Sequence, residues 1–467
     1  MHNINLEEIL GNEQVSLYEV LDAKEKRVMI QQRLLSDLKM PLISFTLNIA
    51  GNIKNFPLAK KTFLEGKSLI KKHLQRNNIT IVREKDNNGK TGFEAFFVVN
   101  SDALLLKKLM VQIENSSLLG RIFDIDVLKV SGEKISREDI GVHNRTCLIC
   151  NDFAHLCSRS KKHSMEEVVR KTVEIMVGYF NNKFANKIAS FASRALMYEV
   201  LITPKPGLVD RQNNGSHSDM DIFTFIDSTS VLVPRFREFA MVGIGLHKEQ
   251  PVKVFERIRY LGMQAEDDMF ELTNNVNTHK GIIFSLGIMC TALGYLYGNN
   301  QLINTEGILK TTQAMTIDLM KDLNHVDIES AKTHGERLYA TYGIKGIREE
   351  VASGFKSVRD FGLPTLYDLI NKGLSINEAG ALTLLNLIAN VIDTNIITRS
   401  DIGTSKKVQS KLKDLIDEKG IENISMEDIS KIDKEFIGLN ISPGGCADLL
   451  AITYMLYFIE NDTFNDN

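Results

Sequence analysis

Charge of one sign is what this chain most plainly lacks: 56 Lys and Arg stand against 59 Asp and Glu, a formal net charge of −3. No bulk field therefore recruits nucleic acid or an anionic membrane, and partners must be recognised at local sites. Long apolar runs are also missing. A membrane span needs about 18 to 20 apolar residues, and the closest run, Gly281 to Leu296, carries Thr291 and three glycines. The segment Met1 to Gly11 is mixed and acidic, without the basic and then apolar order of a signal peptide. These absences predict a cytoplasmic chain that binds neither nucleic acid nor membrane. Cysteine is scarce and odd in number, five in all with three between 147 and 157, which argues for reduced thiols or a metal site over a disulfide framework. Neither a G-x-x-x-x-G-K-[ST] nor a G-x-G-x-x-G motif occurs, which disfavours P-loop and Rossmann nucleotide sites. No internal repeat occurs, and the segment Met165 to Asn182 lacks any Pro- or Gly-rich linker, so a helix is expected to bridge the halves.

What is present is length and core: 467 residues, 43% of them hydrophobic, enough for two or three domains. The first third alternates element types. Helical periodicity covers Val15 to Leu38, Ala59 to Gln75 and Ser101 to Asn115; strand patterns cover Leu42 to Ala50, Ile79 to Arg83, Gly92 to Val99 and Arg121 to Val130. From about Met165 the strand signals stop. Amphipathic runs follow at Phe184 to Ile202, Val252 to Leu272, Gly281 to Tyr297, Ile308 to Leu323, Glu378 to Ile397 and Ala447 to Ile459, and the charged stretch Lys406 to Lys419 reads as a solvated helix. The expectation is an α+β, nucleotidyltransferase-like N-terminal domain followed by an all-α C-terminal domain. The boundary falls between about 164 and 182 and is drawn here as 1–178 and 179–467.

In the first domain, Gly120-Arg121-Ile122-Phe123-Asp124-Ile125-Asp126 puts two aspartates two apart on a strand, so both leave the same face. Paired carboxylates after a Gly turn with an adjacent Arg are what a nucleotidyltransferase uses to hold Mg²⁺ on a triphosphate; an exposed face of an edge strand would show the same pattern. Cys147, Cys150, Cys157 and His163 then follow as C-x₂-C-x₆-C-x₅-H, four ligands suited to tetrahedral Zn²⁺, although Cys157 alone could be a buried small hydrophobe. Arg145, Arg159 and His163 add cationic donors for a polyphosphate. The run Gly120 to Val127, Arg145-x-Cys-x-x-Cys, Cys157-x-Arg-Ser and His163-Ser resembles the holo-acyl-carrier-protein synthase of citrate lyase, over roughly residues 1 to 178. Where that family has a Pro-Gly-Pro turn, this chain has Ala50-Gly51-Asn52. The resemblance implies transfer of a phosphoribosyl-dephospho-CoA group to a serine of the apo-acyl carrier protein of citrate lyase with release of pyrophosphate. It further implies that Asp124 and Asp126 hold the metal and Arg121 the triphosphate.

The second domain concentrates charge in Thr203 to Asp221, where Lys205, Asp210, Arg211, His217, Asp219 and Asp221 share a loop with two prolines and two glycines. Four further polar clusters accompany it: Asn277-Thr278-His279-Lys280-Gly281, Gly346-Ile347-Arg348-Glu349, Asp393-Thr394-Asn395 with Arg399, and Ser442-Pro443-Gly444-Gly445-Cys446-Ala447-Asp448. Helix caps account for single members, but caps have no need of the Lys, Arg and His that recur among them. With Glu199, these clusters resemble triphosphoribosyl-dephospho-CoA synthase over about 182 to 460. That family joins ATP and 3′-dephospho-CoA: the dephospho-CoA ribose 2′-hydroxyl attacks C1′ of the ATP ribose and adenine leaves. Such chemistry predicts Mg²⁺ on Asp219 and Asp221, and phosphates on Lys205, Arg211, Lys280 and Arg348. Asp393 or His217 would serve as base, and Asp210, Asn277, His279, Glu349, Asn395, Gly444, Gly445 and Asp448 would contact substrate. Two other readings remain open from the residues alone. One is the equivalent enzyme pair for malonate decarboxylase; the other is a non-catalytic nucleotide sensor.

Overall fold

The computed structural model describes residues 5–150, 152–320, 331 and 334–462. Residues 1–4 of the acidic N-terminal stretch and 321–323 of the expected 308–323 helix lie outside the described residues. Two compact units are present, Met1–Asn182 and Lys183–Asn467.

Unit 1 contains α1 (Leu6–Leu10), α2 (Leu17–Leu38), β1 (Leu42–Leu47), α3 (Pro57–Arg76), β2 (Ile81–Gly89), β3 (Gly92–Val99), α4 (Ala103–Asn115), β4 (Phe123–Leu128) and α5 (Ala154–Ser160). The strands form one antiparallel sheet in the order β2-β3-β1-β4. Alternation decides which face is buried against what. Ile43, Phe45, Ala95, Phe97, Phe123, Ile125 and Val127 pack with Phe63 and Ile70 of α3 and Leu106 and Met110 of α4. Leu42, Phe96, Val98 and Leu128 on the other face meet Leu34 and Leu35 of α2. α2 starts at a capping box, where Ser16 and Glu19 satisfy each other's backbone N–H. The strand expected at Arg121 begins two residues later, because Leu119–Ile122 forms a 3₁₀ turn. Gly120 is required in that turn: a Cβ there would lie 2.5 Å from the Ile113 carbonyl oxygen.

α6 (Met165–Leu201) carries the chain from the first unit into the second. The helices that follow are α7 (Ile222–Gly245), α8 (Pro251–Leu272), α9 (Lys280–Gly298), α10 (Thr305–Met315), α11 (His334–Tyr342), α12 (Ile347–Ala352), α13 (Leu363–Asn371), α14 (Ile376–Asn390), α15 (Thr394–Arg399), α16 (Ile402–Lys419), α17 (Met426–Gly438) and α18 (Gly444–Glu460). Among its described residues unit 2 has no strand. α9 is long and apolar enough to cross a membrane by length and composition, yet 72% of its apolar window is buried within the protein. It is a core helix: Leu286, Met289, Cys290 and Leu293 are fully enclosed. Close packing against α7 depends on Gly294, where a Cβ would come 2.0 Å from the Ala240 carbonyl oxygen.

The expected single helix Glu378 to Ile397 is two. α14 ends at Asn390, Val391 is extended, and α15 restarts at Thr394. The cause is Asp393, whose carboxylate accepts from the backbone N–H of Asn395 and Ile396 and so caps a new helix. The break turns an apolar run into a corner that exposes α15's start to a cleft.

Candidate functional site

The cleft in unit 2 has a volume of about 1180 Å³. That exceeds the usual range of roughly 300–1,000 Å³ for small-molecule sites and leaves room for two nucleotide-sized substrates. All five polar clusters of the sequence contribute to its lining, through Lys205, His217 and Asp219; Asn277, His279 and Lys280; Gly346 and Glu349; Asp393, Asn395 and Arg399; and Ser442, Gly444, Gly445 and Asp448.

Carboxylates dominate its interior. Glu199, near the end of α6, is buried and accepts from Lys205 Nζ at 2.6 Å; the Lys205 side chain is only 2% exposed. Asp393 Oδ2 accepts from Cys446 N–H at 2.8 Å, so this one side chain holds the starts of both α15 and α18. Burial raises the Asp393 carboxyl above its ordinary range, partly offset by those N–H donors. Asp448 lies one turn into α18. Burial pushes its carboxyl well up, and the nearby negative charges of Glu199 and Asp393 add to the effect. Among the described residues it has no hydrogen-bond or ion-pair partner. Gly281 makes room for it, since a Cβ there would sit 2.3 Å from Asp448 Oδ2.

Two histidines differ in their commitments. His279 is buried, and its Nδ1 lies 2.6 Å from Ser228 Oγ, which itself accepts from Thr278 Oγ1 at 2.8 Å. The Ser228 hydroxyl therefore donates to Nδ1, leaving the proton on Nε2, which has no partner among the described residues. Burial, with Lys205 beside it, lowers this imidazole to about 3, so it is neutral and a hydrogen-bond donor at pH 7. His217 Nδ1 accepts from Arg399 Nη2 at 3.0 Å, while Nε2 lies 2.8 Å from Ser442 Oγ. Burial and then Arg399 lower its pKa. Both of its nitrogens are occupied, which leaves no free lone pair for proton abstraction.

The structure divides the expected site residues. Asp221 does not line the cleft: its Oδ1 caps α7 by accepting from Thr224 N–H at 2.9 Å. Asp219, two residues earlier, does line it, with its side chain 59% exposed. Arg211 is turned to Thr203 and Asn377, and Arg348 to Glu336 at 3.4 Å, both away from the lining. Asp210 is buried and bonds the backbone N–H of Lys205, Gln212 and Asn213, which folds the loop without reaching the cleft. Lys280 reaches Glu266 at 2.8 Å from the rim. The wall formed by Glu350, Ser353, Lys356, Ser357, Asp360 and Phe361 carries no recognisable motif. Its backbone is irregular, with Gly354 and Phe355 left-handed and a π-helical turn at Val358–Gly362, features invisible in the sequence pattern.

In unit 1 the burial of β4 alternates, and Asp124 and Asp126 are half-buried on one face, paired in register with Thr46 and Ser44 of β1. Asp126 contacts Lys134 Nζ at 2.6 Å; burial and then Asp124 raise its pKa. The outer edge of β4 is occupied by Glu114 and Lys107 at Ile125 and by Ile135 at Val127. Buried Glu114 accepts from Ile125 N–H at 3.1 Å and pairs with Arg145 and Arg137. Arg121 Nη2 donates to the Thr146 carbonyl at 2.5 Å. Arg159 is exposed, and His163 turns to Cys150 Sγ at 3.2 Å, among the thiols and not toward the aspartates as a cationic donor would. The Sγ and imidazole N atoms of Cys147, Cys150, Cys157 and His163 all lie within 4.8 Å of one another.

Comparison with known proteins matches each unit separately. Residues 185–466 match the family described as ATP:dephospho-CoA triphosphoribosyl transferase, and residues 15–179 that described as apo-citrate lyase phosphoribosyl-dephospho-CoA transferase. Protein CitXG of Haemophilus influenzae is 34% identical over 459 residues, covering 96% of each chain. Protein CitXG of Leuconostoc mesenteroides subsp. cremoris is 34% identical over 464 residues, 96% of this chain and 97% of the relative. A probable 2-(5''-triphosphoribosyl)-3'-dephosphocoenzyme-A synthase of Photobacterium profundum is 39% identical over 274 residues, 58% of this chain and 86% of its own. The chain thus belongs to the CitXG family, in which a CitX region precedes a CitG region.

Proposed function

We propose that this chain makes and attaches the prosthetic group of citrate lyase, with residues 179–467 joining ATP to 3′-dephospho-CoA and residues 1–178 transferring the product. The observation that carries the synthase half is the convergence of Glu199, Asp393 and Asp448 in a cleft large enough for both substrates.

In the synthase reaction the 2′-hydroxyl oxygen of dephospho-CoA forms a bond to C1′ of the ATP ribose. The C1′–N9 bond breaks, and its electron pair leaves on adenine. Asp448 takes the hydroxyl proton. Its raised pKa makes it a stronger base than an ordinary carboxylate, and its oxygens have no protein donor among the described residues. Asp393 is less suited because its oxygens already hold two helix starts. Negative charge from Asp393 and Glu199 favours the oxocarbenium-like state at C1′. The neutral His279 can offer its Nε2–H as a hydrogen bond to the leaving base without adding a like charge beside Lys205, and the proton taken by Asp448 balances the one that adenine gains from solvent as it leaves.

The triphosphate is held, not cleaved. Lys280 and Lys356 line the cleft and supply cations, and Gly444 and Gly445 admit close approach to the N–H groups at the start of α18. Mg²⁺ takes one or two carboxylates plus substrate phosphates, a donor set that Asp219 on the cleft wall fits and the capping Asp221 does not. Bound there, it would screen the triphosphate charge.

For the transfer half, a nucleotidyltransferase-like site is supported by Asp124 and Asp126 sharing one face of an edge strand. They would hold Mg²⁺ on the donor, with Arg121 and Arg145 near the phosphates. The carrier serine oxygen then attacks the α-phosphorus, its proton is lost and pyrophosphate departs. The test is incubation of the chain with ATP, dephospho-CoA and Mg²⁺. Stoichiometric free adenine is expected; none would refute the synthase reading.

A further inference from the structure

The strongest unexplained feature outside both proposed sites is the thiol cluster of unit 1. It is built as a turn. Thr146 and Phe153 form an antiparallel bridge, Cys147 N–H donates to the Asp152 carbonyl at 2.7 Å, and Ala154 N–H donates to the Arg145 carbonyl at 2.9 Å. Cys147 and Cys150 project from this hairpin. Cys157 comes from α5, and His163 follows the left-handed residue Lys161 that ends α5. Three separate pieces of backbone thereby deliver four soft or borderline ligands to one point.

The distances suit a shared cation. Tetrahedral Zn²⁺ with Zn–S near 2.3 Å and Zn–N near 2.0 Å places its ligand atoms about 3.5–3.8 Å apart. Cys150 Sγ lies 4.0 Å from Cys157 Sγ and 3.2 Å from His163 Nε2. The Ile149 N–H points at Cys147 Sγ at 3.5 Å, the backbone donor that a metal-bound thiolate needs. Three sulfurs and a nitrogen select zinc over Mg²⁺, and four protein ligands leave no open position, so the site is structural and not catalytic.

We infer that Cys147, Cys150, Cys157 and His163 bind one Zn²⁺ that fixes the 146–163 hairpin and, through it, the position of Arg121. The link is direct: the residue before the first ligand, Thr146, supplies the carbonyl and hydroxyl that receive Arg121 Nη2. Arg145, one residue further back, donates from Nη1 to the Arg121 carbonyl at 3.4 Å. The zinc acts on Arg121 by position only. It makes no bond to substrate.

The experiment is metal analysis of the purified full-length chain by inductively coupled plasma mass spectrometry. About one zinc per chain is expected in the wild type, falling at least tenfold in Cys150→Ser. His163→Cys, which keeps four ligands, and Cys290→Ser, in the core of α9, should retain it. If Cys150→Ser does not accumulate, thiol-directed mercurial titration of the wild type with a zinc-sensitive dye reads release directly. Loss of zinc should also lower the thermal midpoint of unit 1 while leaving adenine release by unit 2 unchanged, a split that a chain-wide folding defect does not produce. A wild type without zinc, iron in its place, full zinc in Cys150→Ser, or a Cys150–Cys157 disulfide in the native protein would each overturn the inference.

Discussion

The two units treat their buried and half-buried carboxylates differently. In unit 1, Glu114 is surrounded by Arg137, Arg145 and a backbone N–H, and Asp126 touches Lys134. In unit 2, Lys205 pairs with Glu199, while half-buried Asp448 sits near the charges of Glu199 and Asp393 with no cationic partner among the described residues. An unneutralised buried carboxylate costs stability, and it persists where a proton or a cationic ligand state is part of the work. The cavity beside the face of the unit 1 sheet has a volume of about 40 Å³, against about 1180 Å³ for the cleft of unit 2. Under the proposed reading, unit 2 takes its substrates into this cleft. Unit 1 presents a half-buried sheet face, the geometry suited to a reaction whose second substrate is a protein.

The contrast can be broken most severely at Asp448. Asp448→Asn should reduce adenine release on the order of 10³-fold, the worth of a positioned base, while transfer from pre-made donor stays intact. Release at the wild-type rate would return the base to Asp393. Asp124→Ala should do the reverse: transfer falls at least roughly 100-fold by mass spectrometry of the carrier, with adenine release unaffected. A subtler probe of the same cleft is Gly281→Ala, whose new Cβ would crowd Asp448 Oδ2. A displacement of this kind should cost roughly tenfold in kcat with dephospho-CoA and ATP saturating.

His279 sharpens the comparison through pH. Its folded pKa of about 3 lies below the unfolded value near 6.5, so the unfolded chain binds more protons between those limits. The neutral histidine's contribution is complete above pH 6.5 and is lost as pH falls toward 3. Between pH 6.5 and 5 the wild type should lose about 2 kcal/mol from this group, read as urea stability of unit 2, and His279→Gln should show that much less pH dependence. The smallest effect belongs to Asp221→Ala, which removes a helix cap worth about 1 kcal/mol and should leave adenine release unchanged. Asp219→Ala should instead raise the Mg²⁺ concentration needed for activity.

Local chemistry was legible in the sequence wherever it depended on spacing alone. Period-two alternation places Asp124 and Asp126 on one face, and the C-x₂-C-x₆-C-x₅-H spacing closes into one cluster. The polar segments of unit 2 could be named, because glycines and caps mark helix starts. Which side chains of a segment face inward could not. Asp219 and Asp221 look equivalent in sequence, and only the Asp221–Thr224 cap separates them. Arg211 and Arg348 carry the right charge but are claimed by Asn377 and Glu336. The restart of the chain at Asp393 was hidden because helical periodicity continues on both sides of the polar Asp393-Thr394-Asn395 cluster. The juxtaposition that matters most brings the charge of Glu199 near enough to raise the Asp448 carboxyl, a proximity set by helix packing that leaves no local trace.

The central claim is that one chain makes a donor in one unit and spends it in the other. It is tested by intact mass spectrometry of apo-acyl carrier protein of citrate lyase after incubation with ATP, dephospho-CoA and Mg²⁺, with adenine quantified in the same samples. The wild type should release adenine and add one phosphoribosyl-dephospho-CoA group to the carrier. Asp448→Asn and Asp124→Ala should each leave it unmodified, and the two variants mixed should restore modification because each supplies what the other lacks. A carrier left unmodified by the wild type, or modified by either variant alone, would contradict the account.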